Sequence, residues 1–133
     1  MRIIQLNLNH CNAAQCLLQQ TVQELNADVV LLSEPYEVKN LPTWKCDSTF
    51  TSAIWSSTGN PITDSMTTTK GGFVRGVISG ITFYSCYIPP RFDIEDFRSI
   101  LASLAVDAAV RRNILIAGDF NAWATEWGSP RTN

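Results

Sequence analysis

The chain has 133 residues, 45% of them apolar and 17% charged, with a formal net charge of −2. That length and balance suit one soluble globular domain with a real core. They exclude a basic footprint able to hold nucleic acid by bulk charge; no run approaches a membrane span, and residues 1–8 alternate too strongly for a signal peptide, which fits an intracellular protein.

Along residues 2–8, Ile4, Leu6 and Leu8 fall on one face and Ile3, Gln5 and Asn7 on the other, which predicts a strand. Asn12 with Gln15 has the form of a capping box. Ala14, Leu18, Val22 and Leu25 then recur at helical spacing, so residues 13–25 form an amphipathic helix. Asn26, Ala27 and Asp28 make the turn, and residues 29–33 are a continuous apolar run stopped at Glu34-Pro35. Strand, helix and strand in that order form a βαβ unit with parallel strands. Their carboxyl ends share one edge, and Asn7 and Glu34 sit there.

Residues 37–72 are less regular. Residues 50–55 read as a strand, and residues 56–70, rich in Ser, Thr, Gly and Asp, as a loop or an irregular hairpin connection. Residues 72–79 and 81–87 read as an antiparallel hairpin turning at Gly80, stopped by Pro89-Pro90. Asp93 caps a second helix carrying Ile94, Phe97, Leu101, Leu104 and Ala108, with Arg111 and Arg112 at its carboxyl end. Residues 114–117 complete a second βαβ unit, which brings Tyr87 to the edge that holds Asp119.

Gly118 ends that last strand, and Asp119 and Asn121 stand two apart just beyond it. In extended backbone, residues i and i+2 point the same way, so a carboxylate and an amide can face one spot. That pair suits a phosphate-and-metal or water-activating site; it equally suits an Asx-turn or a helix cap. Polar groups at the carboxyl edge of both βαβ units favour a site, because ligands of α/β sheets bind there. Cys11, Cys16, Cys46 and Cys86 form no C-x-x-C, and His10, Cys11 and Cys16 lack the fourth ligand and spacing of a zinc site. They read as reduced, largely buried thiols of a reducing compartment. Arg2, Lys70, Arg75 and Arg91 are scattered and read as solvated.

Gln5-Leu6-Asn7-Leu8-Asn9, Ser33-Glu34-Pro35, Tyr84-Ser85-Cys86-Tyr87-Ile88-Pro89-Pro90 and Gly118-Asp119-Phe120-Asn121-Ala122 occur in that order. This set resembles the endonuclease/exonuclease/phosphatase family, whose members include apurinic-site endonucleases, pancreatic deoxyribonuclease and inositol polyphosphate phosphatases. The segment 123–133, with Trp123 and Trp127 as residues that stack on DNA or cover the sheet, is more specifically similar to the endonuclease domain of insect non-LTR retrotransposons. The resemblance implies an α/β fold, part of a DNase-I-like four-layer sandwich of two mixed sheets flanked by helices. It implies that residues 1–133 are the amino-terminal part of a single domain, truncated at its carboxyl end.

The resemblance also implies roles. Glu34 would hold the catalytic Mg²⁺, with Mn²⁺ as the alternative, and Asn7 would stand beside it. Tyr87 would lie near the scissile phosphate, Asp119 would orient or deprotonate the attacking water, and Asn121 would hold the phosphate. The implied activity is DNA nicking in the nucleus, with no membrane partner, within a polyprotein that continues into a reverse transcriptase. The family's closing Ser-Asp-His motif has no match here, and His10, the only histidine, follows the first strand. The chain alone is therefore expected to be inactive, with apolar sheet faces left without a partner sheet. A non-catalytic nucleic-acid-binding remnant, or a phosphoesterase of the same fold on another phosphate ester, are the alternatives.

Overall fold

A computed structural model describes residues 1–121; Ala122, Trp123, Trp127 and the rest of the segment 122–133 lie outside the described residues. Strand β1 (Ile3–Asn7), helix α1 (Asn12–Leu25) and strand β2 (Val29–Ser33) form the first βαβ unit. β1 and β2 are parallel, in register from Ile3 opposite Val29 to Asn7 opposite Ser33. All five residues of β2 are buried, because each face meets an apolar layer. Val30 and Leu32 lie under α1 with Leu8, Leu18 and Val22, while Val29 and Leu31 face the second sheet.

The expected capping box does not form. Cys11 is the N-cap of α1 and supplies no side-chain bond. Gln15 is instead buried and spends its amide on another segment: it accepts from the backbone N–H of Tyr36 and Glu37 at 2.8 and 3.1 Å and donates to the Glu37 carbonyl at 2.8 Å. Asn26, with φ 52°, closes the helix in the left-handed conformation that asparagine tolerates.

Strands β3 (Trp44–Cys46) and β4 (Ser52–Ser56) extend this sheet in the order β1-β2-β4-β3. The second sheet has the order β5-β6-β7-β8, from β5 (Thr63–Thr67), β6 (Phe73–Ile78), β7 (Ile81–Tyr87) and β8 (Ile114–Asp119). The hairpin between β6 and β7 turns at Ser79 and Gly80, with φ 51° and 77°, the two positive values of a tight primed turn. Helix α2 (Ile94–Ala109) starts as read: the Asp93 carboxylate accepts from the Asp96 N–H at 2.8 Å. Its residues Phe97, Ile100, Leu104 and Ala108 cover Phe73, Tyr84, Cys86 and Ile88. β7 and β8 are parallel, so the second βαβ unit is present as well.

Between the sheets lie Val29, Leu31 and Ile54 against Val74, Ile78 and Phe83. Helix, sheet, sheet and helix therefore stack in four layers, the architecture the resemblance implied. The expectation that the strands around residues 50–55 and 72–79 face an absent sheet is corrected, since Ile54 and Val74 belong to one shared core. What stands open among the described residues is the flank of β8, where Ile114 and Ile116 are 40% and 41% exposed. No helix among the described residues is long and apolar enough to cross a membrane.

Two further readings change. Arg75 is not solvated: its guanidinium pairs with Asp107 at 2.6 Å and Asp64 at 3.0 Å. Burial pushes the Asp107 carboxyl up, but hydrogen bonds from Tyr84 and Arg75 outweigh it and hold the group below the usual carboxylate range. This network clamps α2 onto β6 and β7. Of the cysteines, Cys86 alone is fully buried, its thiol pushed up to about 12 by desolvation, while Cys11 and Cys16 are exposed.

Candidate active site

The carboxyl ends of both parallel pairs meet at one edge of the sandwich. Two serines join the sheets just below it: Ser33 Oγ donates to the Cys86 carbonyl at 3.4 Å, and Ser85 Oγ donates to the Leu32 carbonyl at 3.3 Å. Sequence reading missed both, because a buried serine at a strand end has no periodic signature.

Glu34 follows β2 directly. Its backbone is gripped on both sides: its N–H donates to the Thr51 carbonyl at 2.7 Å, and its carbonyl accepts from the His10 N–H at 2.8 Å. Its φ of 49° turns the chain out of the strand. One carboxylate oxygen, Oε1, accepts a short hydrogen bond from the Tyr87 hydroxyl of the opposite sheet. The His10 ring contributes positioning: Nδ1 lies 3.0 Å from the Pro35 carbonyl oxygen. A carbonyl only accepts, so Nδ1 holds the proton there. Asn7 ends β1, and its Oδ1 accepts from the Asn9 N–H at 2.7 Å.

Tyr87 ends β7 opposite Asp119 of β8. Its hydroxyl is pushed up to about 12, first by burial, then by the bond to Glu34 and the charges of Glu34 and Asp119, against a smaller pull from Arg91. It is a neutral donor at any physiological pH. Gly118 lets β8 come this close, because with φ 152° a Cβ there would collide with the Cys86 backbone carbonyl. The Ile88 N–H then donates to the Asp119 carbonyl at 2.9 Å.

Beyond Asp119 the extended geometry stops. Asn121 has φ 48°, its N–H donates to Asp119 Oδ1 at 3.1 Å, and its Nδ2 donates to the Ile88 carbonyl at 2.9 Å. The simple i, i+2 alignment is therefore corrected. The turn reading and the site reading describe the same segment: the turn fixes the Asp119 carboxylate.

The structure thus brings Glu34, Tyr87 and Asp119 together, with Asn121 on the Asp119 turn and Asn7 at the end of the neighbouring strand. No group of three His, Cys, Asp or Glu side chains gathers among the described residues. The donors are carboxylate and amide oxygens, with no protein hydrogen bond to Glu34 Oε2 or Asp119 Oδ2 among the described residues. That set fits a hard cation that keeps most of its water and takes one or two carboxylates.

Residues 4–133 match the Endonuclease/Exonuclease/phosphatase family. Among solved structures, the endonuclease domain of TRAS1, a telomere-specific non-LTR retrotransposon, is 22% identical with a TM-score of 0.65, covering 99% of this chain and 65% of that one. The 3′-5′ exonuclease NExo from Neisseria meningitidis is 16% identical with a TM-score of 0.71, covering 91% and 58%; a Neisseria 3′ phosphatase NExo bound to product DNA hairpin also matches, at 16% identity, a TM-score of 0.70 and coverage of 92% and 58%. An AP endonuclease from Archaeoglobus fulgidus is 18% identical with a TM-score of 0.66, covering 92% and 58%. The chain spans 58–65% of the length of these structures, and at such identities the likeness is one of fold. No curated protein matched.

Proposed function

The chain belongs to the endonuclease/exonuclease/phosphatase family, and we propose that it is part of a Mg²⁺-dependent endonuclease that nicks DNA for a retrotransposon. The observation that carries this reading is the Glu34 carboxylate held against Tyr87, with Asp119 as the register partner of Tyr87. The TRAS1 domain, matched over 99% of this chain, supports the retrotransposon context. A reverse transcriptase in the same polyprotein and action on nuclear DNA are part of the same proposal.

In this mechanism Glu34 would hold Mg²⁺, or Mn²⁺, with Asn7 beside it, and the ion would supply neutralisation of phosphate charge and easier activation of water. Asp119 accepts the proton of the attacking water through Oδ2 as the new P–O bond forms; the ester P–O bond breaks and the leaving sugar oxygen takes a proton from bulk water. Asn121, with one Nδ2–H left beyond its bond to the Ile88 carbonyl, stabilises the phosphate oxygens without adding negative charge. Tyr87 keeps its proton but donates it to Glu34 here, so it would serve a phosphate oxygen by turning that one O–H away from the carboxylate. His10 gives its Nδ1–H to the Pro35 carbonyl, which leaves Nε2 as an acceptor, but no hydrogen bond joins that ring to Asp119 among the described residues. With no imidazole hydrogen-bonded to Asp119 and no group of three His, Cys, Asp or Glu side chains among the described residues, those residues alone should turn over poorly.

Supercoiled plasmid is the test substrate. Conversion to open circle with Mg²⁺, abolished by chelation and by Glu34→Gln, is the expected result for a protein carrying this chain within its whole domain. Release of phosphate from a phosphoinositide with intact plasmid would replace the nuclease reading by a phosphoesterase of the same fold. Plasmid binding without cleavage would favour a non-catalytic binding module.

A further inference from the structure

Lys70 and Arg91, distant in sequence, line one cleft of about 350 Å³ together with Phe92, Asp96, Ser99 and Ile100. Both cations stand on fixed turns. The Lys70 turn is pinned by Ser48, whose hydroxyl donates to the Thr68 and Thr69 carbonyls at 3.0 and 3.3 Å. It closes through Gly71 and Gly72, with φ 80° and 100°; a Cβ on the first would lie 2.8 Å from Asp47 Oδ2, and on the second 2.9 Å from the Ile100 side chain. Only glycine lets the turn sit so tightly between the Asp47 loop and α2. Arg91 follows Pro89-Pro90, where the Phe92 N–H donates to the Pro89 carbonyl at 3.1 Å. Its guanidinium lies 5.5 Å over the Phe92 ring, and Phe92 packs on the core beneath α2.

The cleft is tied to the strand end that carries the site. The Gly72 carbonyl accepts from the Tyr87 N–H at 2.9 Å, so the Lys70 turn is bonded to the strand end that carries the reactive edge. The Arg91 charge also acts on the Tyr87 hydroxyl. Among the described residues, Arg75, Arg98 and Arg111 are in ion pairs, whereas neither Lys70 nor Arg91 is. The nearby carboxylates are differently engaged: Asp93 caps Asp96, and Glu95 faces Arg98 at 3.8 Å. Asp96 lines the cleft itself.

Two unpaired cations on rigid turns beside the reactive edge, in a chain of net charge −2, need a reason. We propose that the Lys70–Arg91 cleft holds a backbone phosphate of the DNA strand away from the scissile bond, a second anchor for the substrate of the site described above. It rests on the nuclease reading for the identity of the strand. Lysine and arginine contacts of this kind set the register of a protein on its duplex. Asp96 keeps the cleft from capturing free anions tightly. A backbone phosphate does not need such affinity, because the adjoining site delivers it at high effective concentration.

The probe is a short fluorescein-labelled DNA duplex, with binding read by anisotropy in chelator between about 50 and 200 mM salt. The double variant Lys70→Ala/Arg91→Ala should bind more weakly and flatten the slope of log affinity against log salt by about 0.9 for each phosphate no longer neutralised. Asp96→Asn should act in the opposite direction and tighten binding. In plasmid nicking, the defect of the double variant should fall on KM rather than on kcat. Wild-type affinity and slope in a double variant with an unchanged circular dichroism spectrum and melting temperature would overturn the proposal while leaving the nuclease reading intact. Wild-type protein that neither binds nor nicks duplex would overturn both. Inorganic phosphate that binds the wild type, and not the double variant, without competing with the duplex would also overturn it.

Discussion

The Tyr87 hydroxyl, at the end of one sheet, donates its hydrogen bond to a carboxylate oxygen of Glu34, at the end of the other. One bond therefore sets how the carboxylate proposed to hold the metal and the phenol proposed to lie near the phosphate stand to each other. It leaves the second oxygen of Glu34 without a protein hydrogen bond among the described residues. In Tyr87→Phe that restraint is gone and the carboxylate is deprived of a charge-assisted bond of about 1.5 kcal/mol. Plasmid nicking by the whole domain should fall roughly tenfold or more. An unchanged rate would remove Tyr87 from the site.

Asp119 closes β8 and fills no part of the core, so it can be removed without loss of packing. Asp119→Ala should lower Mg²⁺-dependent nicking by about 10²–10⁴-fold with an unchanged circular dichroism spectrum. Near-normal nicking by the folded variant would show that water activation lies elsewhere.

Glu34 is the carboxylate proposed to hold a divalent ion, and a ligand that binds only the folded state raises its melting temperature. Millimolar Mg²⁺ or Mn²⁺ should raise the melting temperature of the wild type by a few degrees and leave that of Glu34→Gln where it was. Equal shifts in both proteins would place the ion elsewhere.

Asp107 sits among Arg75, Tyr84 and Arg111, and its folded carboxyl is held below the usual range. A depressed folded value means stability that is present above the unfolded value of about 4 and lost as pH falls through the folded one. Asp107→Asn leaves a largely buried guanidinium without its closer partner and should cost about 3 kcal/mol at neutral pH. Urea midpoints from neutral pH down to about pH 2 should show wild type and variant converging at the acid end. A constant gap across that range would mean that Asp107 acts through packing and not through its charge.

Both βαβ units were legible, because their helices and central strands carry apolar periodicity strong enough to name the buried faces. Their parallel pairing then placed Asn7, Glu34, Tyr87 and Asp119 at one edge. The polar strand β5, Thr63–Thr67, was not legible: four of its five residues are exposed, and its conformation comes from pairing with β6. β3 is only three residues long, Trp44–Cys46, too short for a pattern. Arg75 looked like a surface residue since arginine usually is one; its partners Asp64 and Asp107 are 11 and 32 residues away. Gln15 looked like half of a local cap, and was drawn instead to backbone 21 and 22 residues on. In each case a distant partner decided the role, and no local spacing records that.

The reciprocal serine bonds have a mechanical meaning. The apolar layer between the sheets fixes how far apart they lie, but hydrophobic contact has no direction, so it resists separation far better than sliding. Ser33 on Cys86 and Ser85 on Leu32 cross the gap in opposite senses, from one sheet to the other and back. Sliding of either sheet along the strands must break them. Glu34 and Tyr87 sit one step farther along the same two strands, at the point where such a slip would have its full displacement. The two hydroxyls thus act as dowels in a sliding joint, and the edge proposed as catalytic is where any play in that joint would first be felt.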